Sequence, residues 1–240
     1  MQYVNSASEV IEKVRKDGRV ALTELESKQM LRSLGIRTTE MKLAASRDEA
    51  VALGREIGYP CVLKISSPDI SHKSDAGGVK VGLAGEEDVA RAYDAIISAC
   101  REKFPSATVE GVTVQNMALP GLEVIIGMAT DPQFGPVMMF GLGGVWVEVF
   151  KDVSFRVVPL TRYDARTAIR EIRAAGLFDG YRGSEPIDTS ALEDILLRVS
   201  DFVKETPSVS EMDLNPILAY AEGAIAVDAR VILHPVGEDR

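Results

Sequence analysis

The chain is poor in the residues that carry redox and metal chemistry. Its 240 residues include two cysteines, two histidines and one tryptophan. Cys61 and Cys100 match neither a redox pair nor a zinc-ligand spacing, so free thiols in a reducing compartment are expected. The longest apolar run, Pro136 to Phe150, contains three glycines and Glu148 and is too short to span a bilayer. The opening stretch MQYVNSASEVIEKVRKDGR lacks the apolar core of a signal peptide. A soluble, cytoplasmic protein with no membrane partner is the expectation. Positive charge is also short: 27 basic against 36 acidic side chains give a net charge of −9. A non-specific nucleic-acid binder needs a basic face, so that class is excluded, while a locally basic nucleotide pocket is not. No GxxxxGK[ST] phosphate loop and no dinucleotide fingerprint occurs.

What is present is an ordinary globular composition, 46% apolar and 26% charged, long enough for one large domain or two small ones. Helical periodicity with stop signals predicts helices over residues 8–17, from Thr23 to Gly35, from Ser46 to Ile57 and over Glu86–Lys103. Thr23 with Glu26, and Ser46 with Glu49, read as capping boxes. Strands are expected over 38–44, through Lys64 and near Val79–Leu83. The second half reads as strands at Thr108–Met117, Leu122–Ala129, Gln133–Phe140, Trp146–Phe150 and Ser154–Pro159. Helices Thr161–Ala175 and Thr189–Glu205 follow, and a strand pair, Val209–Tyr220 with Ala224–Leu233, closes the chain. The composition shift near Met117–Gly121 is the candidate boundary. The expected organisation is a lead-in helix over 1–20, one subdomain over 21–117 and another over 118–240, in an α+β fold.

The stretch that carries chemistry is Pro60–Lys80, PCVLKISSPDISHKSDAGGVK. A buried strand, Cys61–Leu63, delivers Lys64 at its end, where a charge cannot be buried unpaired. The loop that follows combines serines, His72, Lys73, Asp75, Gly77 and Gly78. Hydroxyls, backbone amides and ammonium groups are what a polyphosphate needs. Taken alone, such a loop is equally a solvated turn with a surface histidine. His72 gains a task only if other groups supply one.

Several motifs agree in order and number. They are VLK at 62–64, HKSDAGGVK at 72–80, PGLEVIIG at 120–127, DPQFGPVMMFGLGG at 131–144, DVSFRVVPLT at 152–161, EMDLNP at 211–216 and VDAR at 227–230. Together they resemble the nucleotide-binding beta subunit of ADP-forming acyl-CoA synthetases, a family of the ATP-grasp superfamily related to succinyl-CoA synthetase. The likeness runs from about Ala21 to the end.

The resemblance implies an ATP-grasp fold, two α+β subdomains with ATP or ADP held between them. It implies a reaction in which acyl-CoA, ADP and phosphate are interconverted with acid, CoA and ATP. It also implies a CoA-binding alpha subunit, in an α2β2 assembly, that forms the acyl phosphate. Phosphate would then pass through His72 to ADP. The roles implied for single residues follow the motifs. Lys64 contacts nucleotide phosphates, and Lys73 or Lys80 balances charge. Asp75 orients the His72 ring, and Gly77 and Gly78 let backbone approach phosphate. Val114, Gln115, Asn116 and Met117 cup adenine through main-chain groups. Glu123 lies near ribose or metal, Gly141, Gly143 and Gly144 form an anion nest, and Arg156 and Arg182 bind phosphate. Magnesium is the implied cofactor, with Asn215 and Asp228 as ligands and Asp213 as a third candidate. Several of these residues have a plainer reading: a strand-end lysine, a solvent-facing glutamate, an ordinary glycine turn, surface ion pairs, a polar hairpin. Hairpin register decides the metal reading. A four-residue turn, Tyr220–Gly223, sets Asn215 opposite Asp228, and a three-residue turn separates them. Two other functional classes are a stand-alone ATP-grasp carboxylate–amine ligase, which has no need of the HKSD loop, and a non-catalytic nucleotide-binding subunit.

Overall fold

The structure, a computed structural model, describes residues 6–70, 73–144, 151–181 and 183–237. His72, Arg182 and the expected strand Trp146–Phe150 lie outside the described residues. The chain forms two compact units. The smaller holds Thr23–Leu25 and Thr39–Leu119; the larger holds the residues up to Leu22, Glu26–Thr38 and the chain from Pro120 on.

In the smaller unit, strands β1 (Met41–Ala44), β2 (Cys61–Ser66), β3 (Val79–Leu83) and β4 (Gly111–Asn116) form an antiparallel sheet in the order β1-β4-β2-β3. Helices α3 (Arg47–Ile57) and α4 (Glu86–Lys103) supply Ala50, Val89, Ile96 and Cys100 to a core with Cys61, Leu63, Ile65, Val112 and Val114. Strand residues alternate between faces. Lys64, registered against Thr113, therefore belongs to the sheet face turned away from that core. Both faces of β2 are buried, so its apolar run is continuous rather than alternating.

In the larger unit, β5 (Leu122–Asp131), β6 (Gly135–Leu142), β7 (Val153–Val157), β8 (Val209–Ala219), β9 (Ala224–Ala226) and β10 (Arg230–Leu233) form a six-stranded antiparallel sheet. Helices α5 (Arg162–Glu171) and α6 (Thr189–Glu205) place Ala165, Ile169, Leu192, Leu196 and Val199 in the core beneath it. The start of α5 is closed by a capping box: Asp164 donates its amide to Thr161 Oγ1 at 3.2 Å, and its carboxylate accepts the Thr161 amide at 2.8 Å.

Four expectations change. The leading segment is not a separate lead-in, and most of residues 21–38 do not join the unit of 39–119. Helix α1 (Ala7–Lys16) buries Val10, Ile11 and Val14 in the core of the larger unit, and Leu22 and Leu233 donate amides to Val231 and Val20. Only Thr23–Leu25, at the start of α2 (Glu24–Ser33), cluster with the smaller unit. Near the start of α2 the Glu26 carboxylate receives both guanidinium nitrogens of Arg19, at 2.8 and 2.9 Å. The helix from Thr161 stops at Glu171 and a 3-10 helix, Arg173–Asp179, follows, because Asp152 accepts the amides of Arg173 and Ala174 and caps a new start. The last strand is split at Val227–Ala229, facing Pro216, which has no amide to donate to a ladder.

Candidate functional site

The smaller unit gathers charge where the sequence places Lys64. Its ammonium lies 2.6 Å from Glu24 Oε1, and Lys73 Nζ lies 3.1 Å from Glu24 Oε2. The Glu24 side chain is 2% exposed, that of Lys64 8% and that of Lys73 21%. One carboxylate therefore meets two ammonium groups in a nearly dry place lined also by Ser66, Ser67 and Thr113. Lys64 thus has the partner that its burial demands. Glu24 escaped sequence reading because it sits at the first position of a helix. An acidic residue there ordinarily answers the helix dipole, and nothing local reveals a lysine 40 residues later.

The loop after β2 is more tightly held than its composition suggests. Ile70 and Ala76 are both buried, and Lys103 donates to the Asp75 carbonyl at 2.8 Å. Gly78 donates its amide to the Lys73 carbonyl at 2.8 Å and Gly77 donates to that of Ser74 at 2.9 Å. The two glycines thus close a turn, and their amides are engaged inside it rather than turned to an anion. Gly78 must be glycine for a second reason: a Cβ there falls 2.5 Å from Ile65 Cγ2. Asp75 and Lys80 are exposed. At the end of β4, Gln115 is buried and Met117 is 45% exposed. The amides of Asn116 and Met117 go to the carbonyls of Glu40 and Pro60, so main-chain donation there is already engaged, while the Asn116 carbonyl oxygen Oδ1 is buried without a partner.

The larger unit holds the three residues expected to bind magnesium, Asp213, Asn215 and Asp228. Residues Ile217, Leu218 and Ala219 pair with Ala226, Ile225 and Ala224, and the same register resumes at Asp213–Arg230. It sets Asn215 across from Asp228, the four-residue-turn arrangement. A bulge in β8 against β5, between the pairs Val124–Ile217 and Ile126–Leu214, falls at the same place. Asp213 and Asn215 line a concavity of about 650 Å³ on the sheet with Ile125, Gly127, Met139 and Phe155. Asp213 is open to solvent at its surface. The walls of the concavity nevertheless push its carboxyl above the ordinary value; the Asp228 carboxylate adds to the rise and Arg230 opposes it. Two carboxylates close enough to repel, beside an amide oxygen, suit a hard divalent cation. Magnesium takes one or two protein carboxylates and completes its shell with phosphate and water. Among the described residues no group of three or more His, Cys, Asp or Glu could hold a metal without such help.

The remaining candidates are explained by packing. Glu123 is exposed, and its carbonyl accepts the Gly143 amide at 2.8 Å. A Cβ on Gly143 falls 2.9 Å from Glu123 Cβ, and one on Gly141 falls 2.8 Å from Val153 Cγ1. Gly144 lies beside the Glu123 carboxylate. The glycines of this stretch admit close neighbours, and an anion nest is not needed to account for them. Arg156 is bound to Glu171 and Thr167. Burial pushes the Cys61 thiol up to about 11 and raises that of Cys100, so neither is a nucleophile at neutral pH. No helix among the described residues is long and apolar enough to cross a membrane.

The model of the ATP-grasp domain matches residues 13–233. The beta subunit of ADP-forming acetate–CoA ligase I from Pyrococcus furiosus is 48% identical over 97% of this chain and 100% of its own. Acetyl-coenzyme A synthetase 1 of Ca. Korarchaeum cryptofilum, solved with coenzyme A and Ca-AMPCP, is 50% identical, covers 95% of this chain and 100% of its own, and superposes with a TM-score of 0.92. A structure of that enzyme with coenzyme A and Mg-AMPPCP has a phosphohistidine segment pointing towards its nucleotide-binding site. It is 47% identical over 95% of this chain and 100% of its own, with a TM-score of 0.83. With this likeness along nearly its whole length, the chain belongs to the ATP-grasp family, in the group of beta subunits of ADP-forming acetate–CoA ligases.

Proposed function

We propose that this chain is the nucleotide-binding subunit of an ADP-forming acyl-CoA synthetase and passes phosphate to ADP through His72. The observation that carries the reading is the pair of ammonium groups, Lys64 and Lys73, held by Glu24 at the foot of the loop that bears His72. Phosphoryl transfer needs alignment and charge neutralisation more than covalent help. Two lysines supply the charge, and a neutral imidazole is nucleophilic near pH 7.

An imidazole nitrogen of His72 attacks the phosphorus of an acyl phosphate made in the partner, and an N–P bond forms as the carboxylate leaves. A terminal phosphate oxygen of ADP then attacks the same phosphorus, and the N–P bond breaks to give ATP and neutral imidazole. Lys64 and Lys73 neutralise the anion during both steps. Asp213, Asn215 and Asp228 hold magnesium, which screens the nucleotide phosphates when bound. Gln115, Asn116 and Met117 take the adenine side, and Glu123 the ribose or metal side. The chain works in the cytoplasm with a CoA-binding alpha subunit, in an assembly of two alpha and two beta chains.

The test is His72→Asn, assayed with the alpha partner. Nucleotide binding should persist while turnover falls at least ~10³-fold, because a covalent relay step has no substitute. An acid-labile phosphate should form on the wild-type chain with ATP and magnesium and be absent from the variant. Near-normal turnover of the variant would remove His72 from the path. Turnover by the isolated wild-type chain with an amine acceptor would instead indicate a stand-alone ligase.

A further inference from the structure

A glycine inside a paired strand is costly, because it packs no side chain and loses the most freedom on folding. Gly127 stands in β5, which is paired on both sides, opposite Met139 of β6 and Asp213 of β8. The two usual reasons for a glycine are missing there. Its backbone lies outside the left-handed region, unlike that of Gly135 at the start of β6. A Cβ at Gly127 meets no backbone atom closer than the Met212 carbonyl oxygen at 3.8 Å, an ordinary contact. At Gly141, by contrast, the Asp152 carbonyl oxygen lies at 3.0 Å. The tightest neighbour of Gly127 is Met139 Cε, 3.3 Å from the added Cβ, at the far end of a flexible side chain. The thioether methyl of Met139 therefore lies across Gly127, in the concavity that Asp213 and Asn215 also line.

We propose that Gly127 and Met139 are a matched pair that sets the depth of the concavity beside Asp213, and so its fit to a magnesium-bound nucleoside diphosphate. Residues directly opposite on neighbouring strands present their side chains to the same face. Met139 reaches over from β6, and its tip lies flat because position 127 has no Cβ. A Cβ there comes closer to that tip than carbon atoms prefer, about 3.5–4.0 Å. The tip must then rise, and the open direction is the concavity. Its volume of about 650 Å³ is ample for a small ligand, and rising into it costs the fold little. It costs the ligand more. A magnesium held by Asp213 carries water and phosphate in its outer positions. The room nearest to Asp213 across the sheet is the room over Gly127. Gly127 is thus a positioning residue that acts through Met139, and the glycine serves the ligand rather than the strand.

This inference rests on the reading of Asp213 and Asn215 as the seat of magnesium–nucleotide. Its test is Gly127→Ala in the full chain, alone and in a Met139→Val background. Two readouts are needed. Without nucleotide, Gly127→Ala should melt at the same temperature as the wild type or higher, since alanine is the better strand residue. Titration calorimetry with magnesium–ADP should show an affinity lower by at least about threefold, the effect of a crowded site. Valine is too short to reach across to β5. In the Met139→Val background the same glycine change should therefore cost less than about twofold, and the difference between the two backgrounds measures the coupling. A Gly127→Ala chain that melts well below the wild type, or fails to fold, overturns the proposal by showing that the strand itself needs the glycine. Wild-type affinity in Gly127→Ala overturns it too, as does an equal loss in both backgrounds. If Met139→Val does not fold, Gly127→Ala alone decides by its affinity. A wild-type chain that binds no magnesium–ADP would instead remove the nucleotide reading. Normal turnover in His72→Asn would remove the relay and leave the affinity order as it is, so the failures are distinguishable.

Discussion

Val227 donates its amide to the carbonyl of Pro216 at 2.9 Å, and that bond holds the register in which Asn215 stands across from Asp228. The hairpin could have closed one residue shorter and turned the two side chains to opposite faces. Asp213 and Asn215 line the concavity together, and the Asp228 carboxylate acts on Asp213 from nearby.

The metal reading makes Asp228→Asn and Asn215→Ala informative. Each should weaken magnesium–ADP binding by at least about tenfold while leaving metal-free ADP binding nearly unchanged, since hard cations need anionic and amide oxygens. Calorimetry with ADP, with and without magnesium or after chelation, reads the difference. Equal losses under both conditions would assign the residues to the nucleotide itself.

Asp213→Asn separates stability from function. A carboxyl whose folded-state value is raised contributes stability that is fully present below its unfolded value and lost as pH rises through the folded one. The wild type should lose stability as pH rises from the ordinary carboxylate value of about 4 through the raised one, and Asp213→Asn should not. At neutral pH the variant should melt at the same temperature or higher, yet bind magnesium–ADP less well. Urea unfolding from pH 4 to 7 checks the slope; parallel curves for both proteins would contradict it.

Lys64→Met removes one partner of a buried pair and keeps the stem volume. Glu24 retains Lys73, so the cost should be about 3 kcal/mol or somewhat less, the lower end for a broken buried pair. Denaturant midpoints measure it. A loss below about 0.5 kcal/mol would show that water reaches Glu24 freely.

Gly78→Ala tests the turn that carries the loop. Its Cβ meets Ile65 Cγ2 at 2.5 Å and the Lys73 carbonyl at 3.0 Å, so overpacking should cost about 1–3 kcal/mol. Gly176→Ala, with no atom within 4 Å of the added Cβ, is the control and should change little. Equal thermal melts for the two variants would mean that the loop yields.

Much was determined by the sequence alone. Helices α1, α3, α4 and α6, the strand bearing Lys64 and the turn before Ala224 follow from apolar spacing, caps and glycine, all of which act within a few residues. The order of the motifs carried the family as well. The tertiary structure alone decided what lies far apart along the chain. It brought Glu24 to Lys64 and Lys73, because ion pairing at a helix start leaves no local trace. It split the last strand opposite Pro216 and drew the first helix into the core of the larger unit, since a strand's partners and a helix's apolar face are chosen by packing rather than by neighbours in sequence. It also packed the glycines of 141–144 against close neighbours, where the resemblance had implied an anion nest and the run alone an ordinary turn. A Cβ on Gly143 would fall 2.9 Å from that of Glu123, a proximity that nothing local in a short glycine run announces.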